Sequence, residues 1–388
     1  MIPGDTQKIY CAIMRGGTSK GIFLKENDLP QNPEIRDKVI LAIFGSPDSR
    51  QVDGLGGAEV LTSKLAIIGA PSIEGADVDY TFGQVDIESP QIYYDGLCGN
   101  ISSAVGPYAI EEGFVKAVEP VTTVRVHSKN TSQIFKIDVP VKDGKPRALG
   151  DYKIDGVPGT GAKLELDMAK TVGSRTGALM PTGNAVDRIR PEGSGEIDVT
   201  ITDLANPAIY VRAADLGLKG YETPEELDAA KGLIERINAI RVACNELIHI
   251  KDWEVSQPIP YIMIVSKPHD YKSSVSDETI RKDDISLVAR MVFVGKAHKT
   301  FPGSGGCGLG VTALIPGTVV NEAADMDIYN RTKTIMIGHP CGIMEIGAQV
   351  KADGGGIEVE RATYTRTARR LMDGYVYVPN TFFQGKEG

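Results

Sequence analysis

Asp95-Gly96-Leu97-Cys98-Gly99-Asn100-Ile101-Ser102-Ser103-Ala104-Val105-Gly106-Pro107-Tyr108-Ala109-Ile110 puts a cysteine where a glycine-containing turn hands over to an apolar run. The run reads as a helix stopping at Pro107, because an interior proline lacks an N–H and clashes with the preceding turn. A helix start leaves N–H groups without intrahelical partners and carries a partial positive charge. Thiols placed there ionise more readily than in bulk water, and carboxylates are drawn to the same spot. Free cysteine is also a common small buried filler, so Cys98 by itself supports either packing or chemistry.

Working outward, strand-like runs alternate with helical ones. Lys8–Met14 and Ile22–Leu24 read as a hairpin with the polar tip Arg15-Gly16-Gly17-Thr18-Ser19-Lys20-Gly21. Glu34–Phe44 has helical spacing, Ser63–Ile68 is a strand, and Val78–Ile87 alternates as a strand with one wet face. Strands follow at 121–126, 133–141 and 162–166. A second cycle has strands at 197–201 and 208–212, a long helix over Pro224–His249, a strand at 261–265 and a helix at 286–294. Further strands lie near Ile335 and at 344–350, 357–365 and 375–378. The cycles rhyme: Met14-Arg15-Gly16-Gly17-Thr18 matches Met180-Pro181-Thr182-Gly183-Asn184. The turn into the Cys98 helix matches Gly303-Ser304-Gly305, whose helix also runs to a proline, Pro316. Two helix N-termini facing one another would suit a dianion.

Composition sets the limits. The chain has 388 residues, 41% hydrophobic and 24% charged, which is ordinary globular composition with room for two cores. A net charge of −9 and 6% aromatic content argue against a nucleic-acid surface. No apolar run reaches the roughly 20 residues of a membrane span, and the N-terminus lacks a signal-peptide pattern. Five scattered cysteines without a C-x-x-C pair suit neither a zinc ribbon nor a disulfide framework, and a cytoplasmic location is expected.

Other motifs narrow the chemistry. Thr62-Ser63-Lys64 follows a glycine-rich loop at the head of an apolar strand, where desolvation would make a lysine amine available as a base; a solvated strand-edge lysine is the plainer alternative. Thr18-Ser19-Lys20 repeats these residues at the hairpin tip. No phosphate loop or dinucleotide fingerprint is present, because Lys20 precedes Gly21 and Lys64 precedes Leu65. Of the five histidines only His298 and His339 adjoin glycine-rich turns, and no metal-ligand spacing appears. Gly338-His339-Pro340-Cys341-Gly342 reads as a turn between strands.

With Cys98-Gly99-Asn100, Met14–Gly21, Thr62-Ser63-Lys64 and Gly338-His339-Pro340 in place, the chain resembles the PrpF family over nearly its whole length, down to Arg366-Thr367-Ala368-Arg369-Arg370. That family includes 2-methylaconitate cis–trans isomerase, 3-methylitaconate Δ-isomerase and oxalomesaconate isomerases. Ile43–Asp48 and Val78–Phe82 are most similar to the 3-methylitaconate branch. The resemblance implies an α+β, diaminopimelate-epimerase-like fold of two pseudo-symmetric domains, each a sheet wrapped around a central helix, with the site between them. The expected domains are 1–180, completed by a strand within 371–388, and 181–370.

The resemblance also implies Lys64 and Cys98 as the acid–base pair. Thr18, Ser19, Ser63, Gly99, Asn100, His298, Gly303, Ser304 and Gly305 are the expected substrate contacts. Pro302 stands where the epimerases carry their second cysteine, which removes a two-thiol racemase mechanism; Cys307 reads as packing, and Cys341 departs from the small residue usual in relatives. The implied reaction is allylic proton transfer on a small unsaturated di- or tricarboxylate, with no cofactor and no metal. A homo-oligomer is left open, and no nucleic-acid or membrane partner is expected. A carboxylate-binding protein of the same fold without catalysis, or a cysteine hydrolase acting through Cys98, are the alternatives of another class.

Overall fold

Gly99–Glu111 form a helix of 13 residues in which all but the last are buried. Pro107 lies inside this helix instead of ending it. An interior proline costs about 3 kcal/mol, and the packing of strands around the helix outweighs that cost. Gly106 shows how tight the packing is: a Cβ there would fall 2.7 Å from Val139 Cγ2 and 3.1 Å from Ile137 Cγ2.

The computed structural model describes residues 4–384 except 95, 252–258, 294 and 354–355. Asp95, Val294 and the last four residues of the expected C-terminal strand therefore lie outside the described residues. The chain forms two compact units, Met1–Tyr152 with Thr160–Leu164 and Arg366–Gly388, and Lys153–Gly159 with Glu165–Thr365. The change of unit comes before the expected residue 180, because 165–180 is tied to the second unit. Gly173 N donates to Asp203 O (2.8 Å), Asp203 N donates to Leu179 O (2.8 Å), and the Asp203 carboxylate accepts from Ser174, Arg175 and Thr176.

In the first unit, Thr6–Gly16 and Ser19–Lys25 form an antiparallel hairpin closed by Gly17 and Thr18, with Gly17 at φ +53°. Ser19–Lys25 runs parallel to Lys64–Gly69, which is antiparallel to Val78–Val85. Val78–Val85 then runs parallel to Val121–Ser128, itself antiparallel to Gln133–Lys142. On the other side Ala368–Pro379 pairs antiparallel with Thr6–Gly16.

Strand periodicity sorts the side chains. Ile22, Leu24, Leu65 and Ile67 meet the outer helix Pro33–Phe44 in one core with Val39, Ile40, Ile43 and Phe44. Residues one step away, including Phe23 and Lys64, face the central helix; the Phe23 ring lies 5.2 Å from that of Tyr108. The expected wet face of Val78–Val85 is absent. Only Thr81 is less than fully buried, because one face meets the outer core and the other the central helix.

The second unit repeats this plan. Asp187–Ile189 pairs with Ile197–Leu204, which forms a hairpin with Asn206–Arg212. Parallel, antiparallel, parallel and antiparallel pairings then bring in Tyr261–Ser266, Leu287–Phe293, Thr334–His339 and Gly342–Asp353. Gly356–Arg366 continues the order. Gly303–Ala313 is the central helix, buried throughout. Two expectations change here. The segment expected to be helical at 286–294 is the strand Leu287–Phe293, fixed by sheet partners on both sides. The long helix splits into Pro224–Ala229 and Leu233–Ile248, with Gly232 at φ +75° beginning the second.

Substituting Gly106→Val should destabilise the protein by about 1–3 kcal/mol through overpacking. A fall in thermal midpoint of several degrees checks this.

Candidate functional site

Cys98 is the N-cap of the first central helix, extended at φ −93°, ψ 101° and half-buried. Its carbonyl accepts from Ser102 N (2.9 Å) and Ser102 Oγ (2.8 Å). Ser103 Oγ donates to Asn100 O (2.6 Å). The hairpin tip presses against this first turn. A Cβ on Gly16 would meet Asn100 O at 2.5 Å, and one on Gly17 would meet Asn100 Oδ1 at 2.3 Å, so only glycine permits the approach. Asn100 staples it from the helix side. Its Nδ2 donates to Thr18 Oγ1 (3.0 Å) and its Oδ1 accepts from Arg366 Nε (2.9 Å).

Lys64 is 4% exposed, with its side chain on the helix-facing side of the sheet. Gly21, Lys64 and Gln84 stand opposite one another on three adjacent strands. The amine donates to Gln84 Oε1 and lies 5.6 Å from the centre of the Phe82 ring. Burial pushes the Lys64 pKa down, and the nearby Cys98 pushes it partly back up. Tyr80, on the same face of its strand as Gln84, is wholly buried; burial first and Cys98 second raise its pKa well above normal. The Arg15 guanidinium donates to Gly17 O (3.0 Å) and Thr367 O (2.7 Å), and Arg366 is 5% exposed.

The first unit thus brings together Thr18, Ser19, Lys64, Cys98, Gly99 and Asn100. Ser19 is buried, and its hydroxyl has no hydrogen-bond partner among the described residues. Ser63 differs from expectation. It has no exposed surface and its Oγ accepts from Gln51 Nε2 (2.9 Å), which makes it a support for the strand head rather than a ligand contact.

His298, Gly303, Ser304 and Gly305 lie in the second unit. Gly303 and Gly305 begin its central helix under Tyr364 and Met263, with no room for a Cβ. Ser304 Oγ accepts from Asn206 Nδ2 (3.3 Å). His298 Nδ1 accepts from Thr300 N (3.1 Å), which leaves Nε2 to carry the proton of the neutral ring. Pro302 caps the helix where Cys98 caps the other. Cys307 is packed, its thiol donating to Ala362 O. Cys341 sits in the turn between Thr334–His339 and Gly342–Asp353, with its thiol donating to Lys299 O (2.9 Å).

Sequence reasoning missed Gln84, Gln51, Tyr80 and Arg366. A glutamine at an inward position of a strand was the only signal for Gln84. Gln51 lies in a loop and gave none. Among the described residues no group of three or more His, Cys, Asp or Glu could hold a metal ion, and no helix is long and apolar enough to cross a membrane.

Residues 6–379 match the family model described as PrpF protein. The chain belongs to the PrpF family. It is 49% identical over 379 residues to the 3-methylitaconate isomerase of Eubacterium barkeri, covering 96% of this chain and 98% of that protein. The solved structure of a methylitaconate-delta-isomerase superposes with TM-score 0.83 at 48% identity over 99% of both chains. A hydroxyproline epimerase from Agrobacterium vitis gives TM-score 0.54 at 13% identity, over 96% of this chain and 93% of that one. These neighbours bear out the α+β, diaminopimelate-epimerase-like fold class.

Of the five cysteines Cys98 alone is not buried, and burial raises the pKa of Cys11, Cys244 and Cys341. Brief iodoacetamide treatment of the native protein should label Cys98 at least about tenfold faster than the other four, as read by peptide mass mapping.

Proposed function

We propose that this protein is an isomerase that moves the double bond of 3-methylitaconate, or a close unsaturated dicarboxylate, by allylic proton transfer. The observation that carries this reading is the buried Lys64 amine within electrostatic reach of the Cys98 thiol at a helix start. Burial disfavours the ammonium, so Lys64 is available as a neutral base, whereas a lysine in water, with a pKa near about 10.4, is not.

The neutral Lys64 amine takes the proton from the carbon allylic to the double bond. The C–H electron pair delocalises through the double bond into the carboxylate as a dienolate. The Cys98 thiol returns a proton at the far carbon, which completes the shift of the double bond. Passing the proton from the Lys64 ammonium to the Cys98 thiolate restores both groups. Charge gathering on the carboxylate is met by the N–H groups at the start of the Gly99–Glu111 helix. The Ser19 hydroxyl, the half-buried Arg15 guanidinium and the buried Arg366 guanidinium favour the same anion. Because the base must be unprotonated, kcat/KM rises with pH through the Lys64 pKa.

Incubation with 3-methylitaconate in D₂O should place deuterium at the allylic positions of both isomers, read by proton NMR. Binding without exchange would instead leave a carboxylate-binding protein. A Lys64→Ala variant with normal circular dichroism should lose about 10²–10⁴ in kcat; full turnover would remove Lys64 from the mechanism.

A further inference from the structure

The strand partner of Lys64 has a geometry that fixes more than its place in the sheet. Gln84 is 5% exposed, and its Nε2 donates to three backbone carbonyls, Ser63 O at 3.1 Å, Val60 O at 3.3 Å and Val85 O at 3.4 Å. A carbonyl only accepts, so the amide nitrogen has to face these three, and the amide oxygen has to face the Lys64 amine. The side chain therefore has one orientation. The carbonyl of Ser63 belongs to the residue before Lys64, so the same amide grips the strand head and the amine that leaves it. Gln51 holds Ser63 from the other side: its Nε2 donates to Ser63 Oγ (2.9 Å) and Ser46 Oγ (3.0 Å), and its Oε1 accepts from Ala58 N (2.7 Å).

We propose that Gln84 is a positioning residue for the proton transfer at Lys64, its amide oxygen holding one N–H of the amine so that the reactive electron pair is aimed at the substrate. This rests on the acid–base reading given above. The residue type matters as much as the place. A neutral amide oxygen fixes the amine in one direction without supplying a counter-charge, whereas a carboxylate at this position would keep the ammonium protonated. An apolar side chain would remove this hydrogen bond, and a misplacement of about 1 Å at a reacting group can cost about 10²-fold in rate.

Three variants test this, each checked for folding by circular dichroism and thermal midpoint, with Lys64→Ala measured beside them. In Gln84→Glu the carboxylate should move the Lys64-dependent limb of the pH–kcat/KM profile up by about 1–3 units, so that activity lost at neutral pH returns at higher pH. In Gln84→Met kcat should fall about tenfold to 10²-fold, with KM changed by less than about threefold. Gln84→Asn keeps the amide but withdraws it by one methylene, and it should show the same loss in kcat; it decides the matter if either of the others fails to fold. A purely structural role would lower the thermal midpoint and leave the pH limb where it is. Folded Gln84 variants with the wild-type profile and kcat, beside an inactive Lys64→Ala, would overturn the proposal alone. A fully active Lys64→Ala would overturn the acid–base reading and the proposal together.

Discussion

An ammonium moved out of water loses several kcal/mol of hydration even after the protein has relaxed around it, and the Lys64 side chain is almost wholly out of water. Part of that loss is offset by neighbours among the described residues. They supply the oxygen of an amide, the face of the Phe82 ring and the Cys98 thiol. Burial nevertheless pushes the Lys64 pKa below its ordinary value, against the pull of these contacts. The glycines follow from the same constraint. A Cβ on Gly21 would meet Lys64 O at 2.9 Å, and the bare tip at Gly16 and Gly17 lets the hairpin close over the helix start.

The two units share an order of strand pairings but not a chemistry. Aligning the hairpins by register sets Ser19 against Asn206 and Gly21 against Ala208, so the position of Lys64 corresponds to Tyr261. Cys98 likewise corresponds to Pro302. The second unit therefore has a phenol where the first has an amine and a ring carbon where the first has a thiol. Its Asn206 Nδ2 donates to Tyr261 OH (3.1 Å) and to Ser304 Oγ, so an amide, a phenol and a hydroxyl are joined there by hydrogen bonds. The two units are similar frames, and the second has a helix start without a lysine and a cysteine at the corresponding places.

Much of the frame was legible because it depends on local pattern. Glycine-rich turns before apolar runs marked both central helices, and period-two segments marked most strands. The errors arose where tertiary packing overrode local preference. Pro107 reads as a stop until the strands around it are counted, and Leu287–Phe293 has no strand signature apart from its two sheet neighbours. The candidate site was legible at Lys64 and Cys98, which carry reactive atoms beside recognisable turns. It was illegible at Gln84 and Gln51, whose importance lies in which atoms face which. An amide in a strand looks the same in sequence whether it is solvated or pinned by three carbonyls.

Net charge also misleads about the kind of ligand the chain can take. At −9 the protein as a whole repels a carboxylate, but exposed charges are screened beyond about 8–10 Å at ordinary ionic strength, and buried ones much less. A small anion arriving at the hairpin tip meets the Arg15 and Arg366 guanidinium groups, the partial positive charge of the helix start and the Ser19 hydroxyl. Arg15 and Arg366 are fixed by the backbone of Gly17 and Thr367 and by Asn100, rather than neutralised by those contacts. On the reading proposed above, a carboxylate bound there would meet a local field that differs from the global one. On that same reading, the field would stabilise a dienolate more than the acid it came from, because the charge on the carboxylate grows as the proton leaves.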